Sequence, residues 1–417
     1  MEKLTFTIDG YSFSTAFNTA AKREQCAEKI LSTTGRHYSW YKENTGNKNW
    51  ILYDTEQYEV RNFDDIKYLV LNNRLMDVKT FLCVRRDFKG KLHLPINAST
   101  CSFMFVDSNV PEIDLTEFDT TNVVDMDYMF LEANLGDCLS LVSSTITQAN
   151  TPDRNILTLN TEGVISMSGM FKDCKVKHLD LRNLRTDNVT DFSDMFCSCN
   201  DLIDLNVDGF DTSKAKDFHG MFQGCIKLTQ LNVKHFNVDN VLHMSCLFSR
   251  CLRLKVINLE SWDFSQVSDA NEMFAYCEKL EKIIANFNFK MIKEMAFMFC
   301  YCTKLSKVDL SHSDLSHVFD FGYTFFKCEG LKDIRFSQGV WLKAKFTLSM
   351  FDDCKALERL NLPDVILDDV IRSYAMFDDC DNLKEIYMEH PLNLDKYEHE
   401  LIFGNCKAEV KKSTEWQ

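Results

Sequence analysis

Apolar side chains recur along most of this chain with a period of about 26 residues. A phenylalanine marks the same place in each period, and in ten of the twelve copies a cysteine follows three residues later. Successive copies are 25 or 26 residues apart, except for one gap of 41. The phenylalanines are Phe105, Phe130, Phe171, Phe196, Phe222, Phe248, Phe274, Phe299, Phe325, Phe351, Phe377 and Phe403. A fixed period of this length predicts a solenoid, in which each unit buries its apolar face only against its neighbours.

Each unit contains two shorter periodicities. Around Leu205 and Val207 the apolar spacing is two, which predicts a short strand with alternate residues on one face. From Phe192 to Cys199 the spacing is three or four, which predicts a short helix. Asp191 and its counterparts stand five residues before the repeat phenylalanine, and we expect them to cap that helix. A row of metal-binding or catalytic carboxylates is the alternative interpretation.

The sequence therefore predicts an α/β solenoid over residues 96–406, a leucine-rich-repeat-like array of parallel strands with about 12 units. Residues 1–95 lack the period, and their strand-like and helix-like runs predict a small α+β N-terminal domain that caps the first unit. The long gap predicts an insertion at about 131–164, which is either a neutral excursion or a recognition loop. Residues 407–417 are expected to form a C-terminal cap or a tail.

The unit resembles the bacterial surface-protein 26-residue repeat family, a branch of the BspA-like leucine-rich repeats. The resemblance is closest at residues 118–123, which read FDTTNV, and it recurs at residues 210–213 and around Met170, Phe171 and Cys174. It covers about three quarters of the chain. The resemblance implies a non-catalytic solenoid, since members are mostly surface or secreted proteins that bind other macromolecules. Related repeats also occur in proteins of large viruses.

The net charge of the chain disfavours some classes of binding partner. The formal net charge is −15, which disfavours nucleic acid or an anionic membrane as the main partner. We expect another protein as the partner, with a neutral or basic surface. The chain lacks an apolar run of about 18 residues that would predict a membrane span, and its first residues lack a secretory pattern. We therefore expect a cytoplasmic protein, with a virion as the alternative location.

The positions of the cysteines indicate that they pack in the core and do not form disulfides or bind metal. Ten of the seventeen cysteines occupy one repeat position, so buried free thiols explain them better than disulfides. The pairs Cys197 with Cys199 and Cys300 with Cys302 are separated by one residue, whereas zinc sites usually have two intervening residues and a second pair. The sequence also lacks a glycine-rich phosphate loop. We predict neither a metal nor a cofactor.

Outward residues of the strands are predicted to form columns along one face of the solenoid. Three successive asparagines lie in the middle column, where an amide ladder between units is the structural alternative to a contact role. In the N-terminal domain, aromatic residues are a candidate hot spot, with a hairpin core as the alternative. The candidate partner-binding residues are Asn206, Asn232, Asn258, Lys234, Lys282, Lys307, Arg335, Arg359, Tyr387, Tyr38, Trp40 and Tyr41.

These features favour a non-catalytic protein–protein interaction solenoid that acts as a rigid docking surface. A structural or host-contact component of a virus particle or cell surface is the alternative. The third hypothesis is an enzyme with its site in residues 1–95, for which the candidate titratable residues are Glu24, His37, Asp54 and Glu56. No motif in the chain places these four together, and we predict that the protein is not an enzyme.

Overall fold

The computed structural model describes part of the N-terminal region and most of the solenoid. It places the backbone of seven strands between residues 4 and 91, and then the segments 99–114, 120–142, 155–337, 345–362, 373–388 and 396–416. The predicted helix at residues 17–31 lies outside the described residues, as do Glu24, His37 and Glu56. The α+β character of the N-terminal region therefore stays a prediction.

The N-terminal strands pair in antiparallel fashion. Strands β1 (Leu4–Ile8) and β2 (Tyr11–Thr15) form a hairpin-like pair. A four-stranded sheet follows in chain order, and its strands are β3 (Tyr38–Lys42), β4 (Trp50–Asp54), β5 (Tyr68–Leu71) and β6 (Arg74–Asp77). Tyr38, Trp40 and Tyr41 lie in β3, which pairs with β4.

All later strands pair in parallel, as expected of a solenoid. They are β7 (Gly90–Lys91), β8 (Ile113–Asp114), β9 (Cys138–Val142), β10 (Asn155–Thr158), β11 (His178–Asn183), β12 (Asp204–Asn206), β13 (Val256–Leu259), β14 (Lys282–Ala285), β15 (Lys307–Leu310), β16 (Asp333–Phe336), β17 (Arg359–Asn361), β18 (Glu385–Met388) and β19 (Glu409–Lys412). Helix α1 (Lys396–Phe403) precedes the last strand. The insertion that the sequence assigned to a loop supplies β10, which pairs with β9.

The segment predicted as a helix in each unit is a series of tight turns, so the expected α/β mixture is wrong for the described units. Two residues per unit have a positive φ, as at Asp194 (56°) and Ser198 (59°), which an α-helix excludes. The backbone N–H groups donate to the next unit instead of four residues back. Phe192 donates to Asp217 at 3.1 Å, and Phe196 to Met221 at 2.8 Å. The described solenoid is a parallel β-solenoid with little helix.

The repeat phenylalanines form one continuous column of stacked rings from Phe105 to Phe403. Ring centroids of neighbouring units are 5.1 to 5.7 Å apart and the rings are near-parallel. All of these side chains are buried. The inward orientation predicted for this position is confirmed, and offset stacking adds to the burial of apolar surface.

The repeat cysteines contact the unit that precedes their own. The Sγ of Cys199 donates to the carbonyl of Phe171 at 2.9 Å, and the Sγ of Cys251 to that of Phe222 at 3.2 Å. Nine cysteines make this bond: Cys174, Cys199, Cys225, Cys251, Cys277, Cys302, Cys328, Cys354 and Cys380. Burial raises the pKa of the Cys251 thiol to about 12. These side chains are packing groups that also satisfy a carbonyl.

Neighbouring units are connected differently on two sides of the solenoid. On the side of the turns, backbone N–H groups donate directly to backbone carbonyls of the next unit. On the far side, buried threonine hydroxyls reach across, as from Thr186 to the carbonyl of Asp211 at 3.0 Å and from Thr212 to that of Asn237 at 2.8 Å. The threonine of the sequence FDTS at residues 210–213, like its counterpart Thr186, therefore connects its own unit to the next one through a hydrogen bond.

Truncation of the central ring tests the phenylalanine column. Phe248→Ala should lower the free energy of unfolding by about 3–5 kcal/mol, because it removes a buried ring and leaves a cavity between two others. Chemical denaturation monitored by circular dichroism would measure the change. The exposed neighbour Glu278 provides the control, since Glu278→Ala should change stability little. Equal stability of Phe248→Ala and the wild type would contradict the assigned core.

Thiol labelling tests the cysteine column. With a maleimide at about pH 8, the nine bonded cysteines should stay unlabelled in the native protein, because burial limits access and raises their pKa. Half-buried Cys138 is the internal control and should react first. Mass spectrometry of peptides would assign each site, and all sites should react after denaturation. Rapid native labelling of Cys251 or Cys277 would contradict this packing.

Candidate functional site

The face formed by the strands, here called the strand face, holds most of the predicted contact residues. Lys234, Lys282, Lys307, Arg335 and Arg359 are exposed there, as predicted. Of the three asparagines, that at 232 is exposed and those at 206 and 258 are half-buried. The residue at 387 differs from the prediction, since this tyrosine is only 3% exposed.

The asparagines do not form the amide ladder considered from the sequence. The Oδ1 of Asn206 accepts the backbone N–H of Asp208 at 3.0 Å, and Asn258 bonds Glu260 in the same way at 3.1 Å. The Nδ2 of Asn232 donates to Asp208 at 2.8 Å. Each side chain therefore closes the turn after its own strand or bonds a flanking carboxylate, because the N–H two residues on needs an acceptor.

Two lysines of the strand face pair with carboxylates of the next unit, and Arg335 approaches a carboxylate of its own strand. The Nζ–carboxylate distance is 2.8 Å from Lys234 to Glu260 and 3.0 Å from Lys307 to Asp333. Arg335 also approaches Asp333, at 3.6 Å. Exposed pairs of this kind contribute about 0–1 kcal/mol each to stability. Their main effect here is on charge, since they leave the strand face nearly balanced.

The C-terminal segment folds onto the strand face and explains the burial at Tyr387. Trp416 packs edge-on against Tyr387, and the Arg359 guanidinium lies 4.7 Å from the Trp416 ring centroid. Glu385 accepts bonds from Lys411 at 2.5 Å, from the hydroxyl of Tyr387 at 2.7 Å and from Arg359 at 3.0 Å. The Lys411 and Tyr387 bonds lower the pKa of Glu385 to about 2. This cluster joins β17, β18 and β19.

The outward side of the turns forms a second face, here called the turn face. It comprises the outward residues from six before to two after each repeat phenylalanine, from the unit of Phe105 to that of Phe377. The aspartate expected to cap a helix lies on it and closes a turn instead. The Oδ1 of Asp191 accepts the N–H of Ser193 at 2.9 Å, and Asp217 that of His219 at 2.8 Å.

Carboxylates outnumber basic side chains on the turn face. The acidic residues are Asp107, Asp125, Asp127, Glu132, Asp173, Asp191, Asp194, Asp217, Asp269, Glu272, Glu294, Asp320, Asp352, Asp353, Asp378 and Asp379. The Lys and Arg residues within the described part of this face are Lys172, Lys216, Arg250, Lys293, Lys327 and Lys345. Desolvation raises the pKa of Asp127 to about 6, and burial followed by the charge of Asp191 raises that of Asp217. The 16 carboxylates against six basic side chains give this face an excess of negative charge.

An aromatic patch interrupts the acidic turn face. The rings of Tyr276 and Tyr301 stack with centroids 4.8 Å apart, and those of Phe297 and Tyr323 stack at 4.7 Å. Phe326 contacts Tyr301 and Tyr323 edge-on, at 5.4 and 5.5 Å. We call these five residues the aromatic patch. The sequence signal that could have revealed it is an aromatic residue two positions before or after the repeat phenylalanine in three successive units.

Cations cover the two ends of one stack in the patch. The guanidinium of Arg250 lies 4.8 Å from the centroid of Tyr276, and the ammonium of Lys327 lies 5.4 Å from that of Tyr301. Both arrangements are cation–π contacts. The four side chains form a single column across four units, so the faces of its two rings are occupied.

One group of three carboxylates among the described residues is close enough to bind a metal, and it consists of Asp352, Asp353 and Asp379. Lys355 and Lys327 approach Asp353 at 2.7 and 3.6 Å, so lysines already balance part of this charge. Desolvation raises the pKa of Asp352 to about 6. The cluster belongs to the acidic turn face.

Asp54 lies in β4 and is the sole member of the predicted enzyme set within the described backbone. Cys199 and Cys302, from the two candidate zinc pairs, belong to the cysteine column. Among the described residues, no helix combines the length and apolar character needed to cross a bilayer.

The chain belongs to a repeat family that is described as a Mycoplasma protein of unknown function, DUF285. The family profile matches residues 96–145, 138–230, 165–286, 244–363 and 277–390. Membership supports the resemblance to BspA-like surface repeats. Among solved structures, the chain is similar to a leucine-rich cell surface protein from Faecalibacterium prausnitzii A2-165, with 14% identity, coverage of 66% of this chain and 88% of that chain, and a TM-score of 0.27. No curated protein matches the chain.

The pKa of Glu385 predicts a pH dependence of stability. The group titrates lower in the folded than in the unfolded chain, so its stabilising effect is present above the unfolded pKa of about 4.3. It should be lost as the pH falls towards about 2. Glu385→Gln should abolish this part of the loss, as measured by denaturant unfolding at a series of pH values. Parallel curves for the variant and the wild type would contradict the assignment.

Proposed function

We propose that this protein is a non-catalytic docking solenoid that binds another protein. The observation that supports it is the rigid, regular presentation of outward side chains by the continuous phenylalanine column. Because the units share one core, outward residues of neighbouring units stay at a nearly constant spacing. Such a surface suits many modest contacts with a partner. The finer picture, with about 12 units and an α+β N-terminal cap, belongs to the same proposal.

Charge supports a partner with a neutral or basic surface. The chain has a formal net charge of −15. Since ion pairs balance the strand face, the excess is concentrated on the turn face. An acidic partner would be repelled, whereas a basic one would be steered towards the solenoid. A cytoplasmic location, with a virion or the cell surface as the alternative, is part of the proposal and would follow from where the partner is found.

Capture followed by titration tests the docking function. The full-length protein would be immobilised and exposed to a lysate of the cells that produce it, at salt concentrations of about 50 and about 500 mM. Each retained protein would then be purified and titrated against the chain by calorimetry. We expect a discrete partner with saturable binding that weakens at high salt.

Two variants of the strand face accompany this experiment and test its predicted contact residues. Lys234→Ala combined with Glu260→Ala removes an exposed pair from the strand face without changing the net charge. Asn232→Ala removes a predicted contact residue from the same face. If this variant binds the partner more weakly but is as stable as the wild type, the middle column of the strand face contacts the partner. Failure of every purified candidate to saturate the chain would contradict the docking function.

A further inference from the structure

The exposed large apolar side chains of the described solenoid are concentrated on the turn face. Val124, Ile165, Leu242, Phe319 and Phe346 are each at least 36% exposed and all belong to it. Scattered exposed apolar residues are ordinary, but contiguous ones mark interaction sites. The aromatic patch occupies the units of Phe274, Phe299 and Phe325, so exposed apolar and aromatic side chains recur in successive units of this face up to Phe346.

The backbone conformation of the aromatic patch allows glycine at four of its positions. Tyr276, Phe297, Tyr301 and Tyr323 have φ between 57° and 61°, in the left-handed region that favours glycine. An equivalent position elsewhere is occupied by Gly220. Glycine substitution can therefore remove these rings without adding backbone strain.

Small residues separate the two stacks of the patch. Ser249, Ala275 and Cys300 occupy the position just after the repeat phenylalanine in three successive units, and all are buried. The same position in the next unit holds Phe326, which contacts a ring of each stack. The patch thus consists of two aromatic stacks and an aromatic residue that contacts both of them, with small buried side chains at the equivalent position of the preceding units.

The exposed parts of these rings favour a polypeptide over a sugar. Sugars stack on ring faces, but the faces of Tyr276 and Tyr301 are covered by each other and by Arg250 and Lys327. Ring edges and tyrosine hydroxyls remain, and these suit aliphatic side chains and backbone carbonyls. Tyrosine and arginine are also the residues most enriched in the energetic centres of protein interfaces.

The negative charge around the aromatic patch indicates that a bound partner has basic residues at the edge of the contact. Glu272 and Glu294 lie beside the patch, and further turn-face carboxylates extend on both sides of it. A bound segment with Lys and Arg flanking an apolar centre would match both features, whereas a second copy of this acidic chain would not.

We propose that the aromatic patch is the docking site for a polypeptide segment that combines apolar side chains with Lys and Arg. This inference rests on the proposed docking function and names the face and the class of partner. The patch supplies the apolar centre of the interface, and the turn-face carboxylates supply its rim.

Peptide selection tests the proposal without a known partner. A phage-displayed library of random peptides of about 16 residues would be panned on the full-length protein. We expect the enriched sequences to be net basic and to contain aromatic or aliphatic residues. Synthetic copies would be titrated at low and high salt, and binding should weaken about tenfold or more at high salt. Enrichment of acidic or uncharged sequences, or no enrichment, would overturn the proposal.

Glycine substitution tests whether the aromatic patch is the binding site without adding backbone strain. Phe297→Gly combined with Tyr323→Gly removes one complete stack at positions where φ already favours glycine. We expect the affinity for a selected peptide to fall about tenfold or more. Ser198→Gly is the matched control, because Ser198 has φ of 59° at an equivalent turn far from the patch. It should leave affinity within about twofold.

A crosslinking measurement on the wild-type protein locates the site even if the glycine variant misfolds. A selected peptide with a photoreactive group would be irradiated with the wild-type protein, and crosslinks should map to residues 272–327. Crosslinks on the strand face, or a partner from the capture experiment that the peptide fails to displace, would overturn this proposal and leave the docking function intact. Loss of saturable binding to every captured protein would instead overturn the docking function.

Discussion

Backbone hydrogen bonds between neighbouring turns are the constraint on which this structure depends. Because the turns adopt positive φ at two positions, they do not form a helix, and alternate N–H groups find their acceptors in the next unit. Every unit is therefore incomplete alone. The Phe105–Phe403 ring column and the thiol bonds, such as that from Cys251 to the Phe222 carbonyl, form only when those turns are in register.

The sequence predicted inward positions well and local conformation poorly. Phe248 and Cys251 are buried because a 26-residue period reports which side chains meet the core. The helix prediction failed because consecutive turns place apolar residues three or four apart, as a helix does. The N–H of Met195 donates to the carbonyl of Phe192, three residues back, at 3.2 Å. Apolar spacing does not report the sign of φ, and the glycines at 220 and 224 were the available signal.

The candidate contact residues show a similar division. Exposure of Lys234 and Lys307 followed from strand alternation, but their pairing with carboxylates one unit away did not, since it depends on side-chain reach between units. Tyr387 was predicted to be exposed but is buried, because Trp416 of the C-terminal segment packs against it. The aromatic patch was not predicted, although Tyr276 and Tyr301 recur at one repeat position, because the turn conformation that carries these residues was not predicted either.

The outward rings of the turn face also meet across units. Ring centroids are 4.7 Å apart at Phe297 and Tyr323, and 4.8 Å apart at Tyr276 and Tyr301. Because these four residues come from three successive units, an elongated ligand lying along the turn face would touch several units at once.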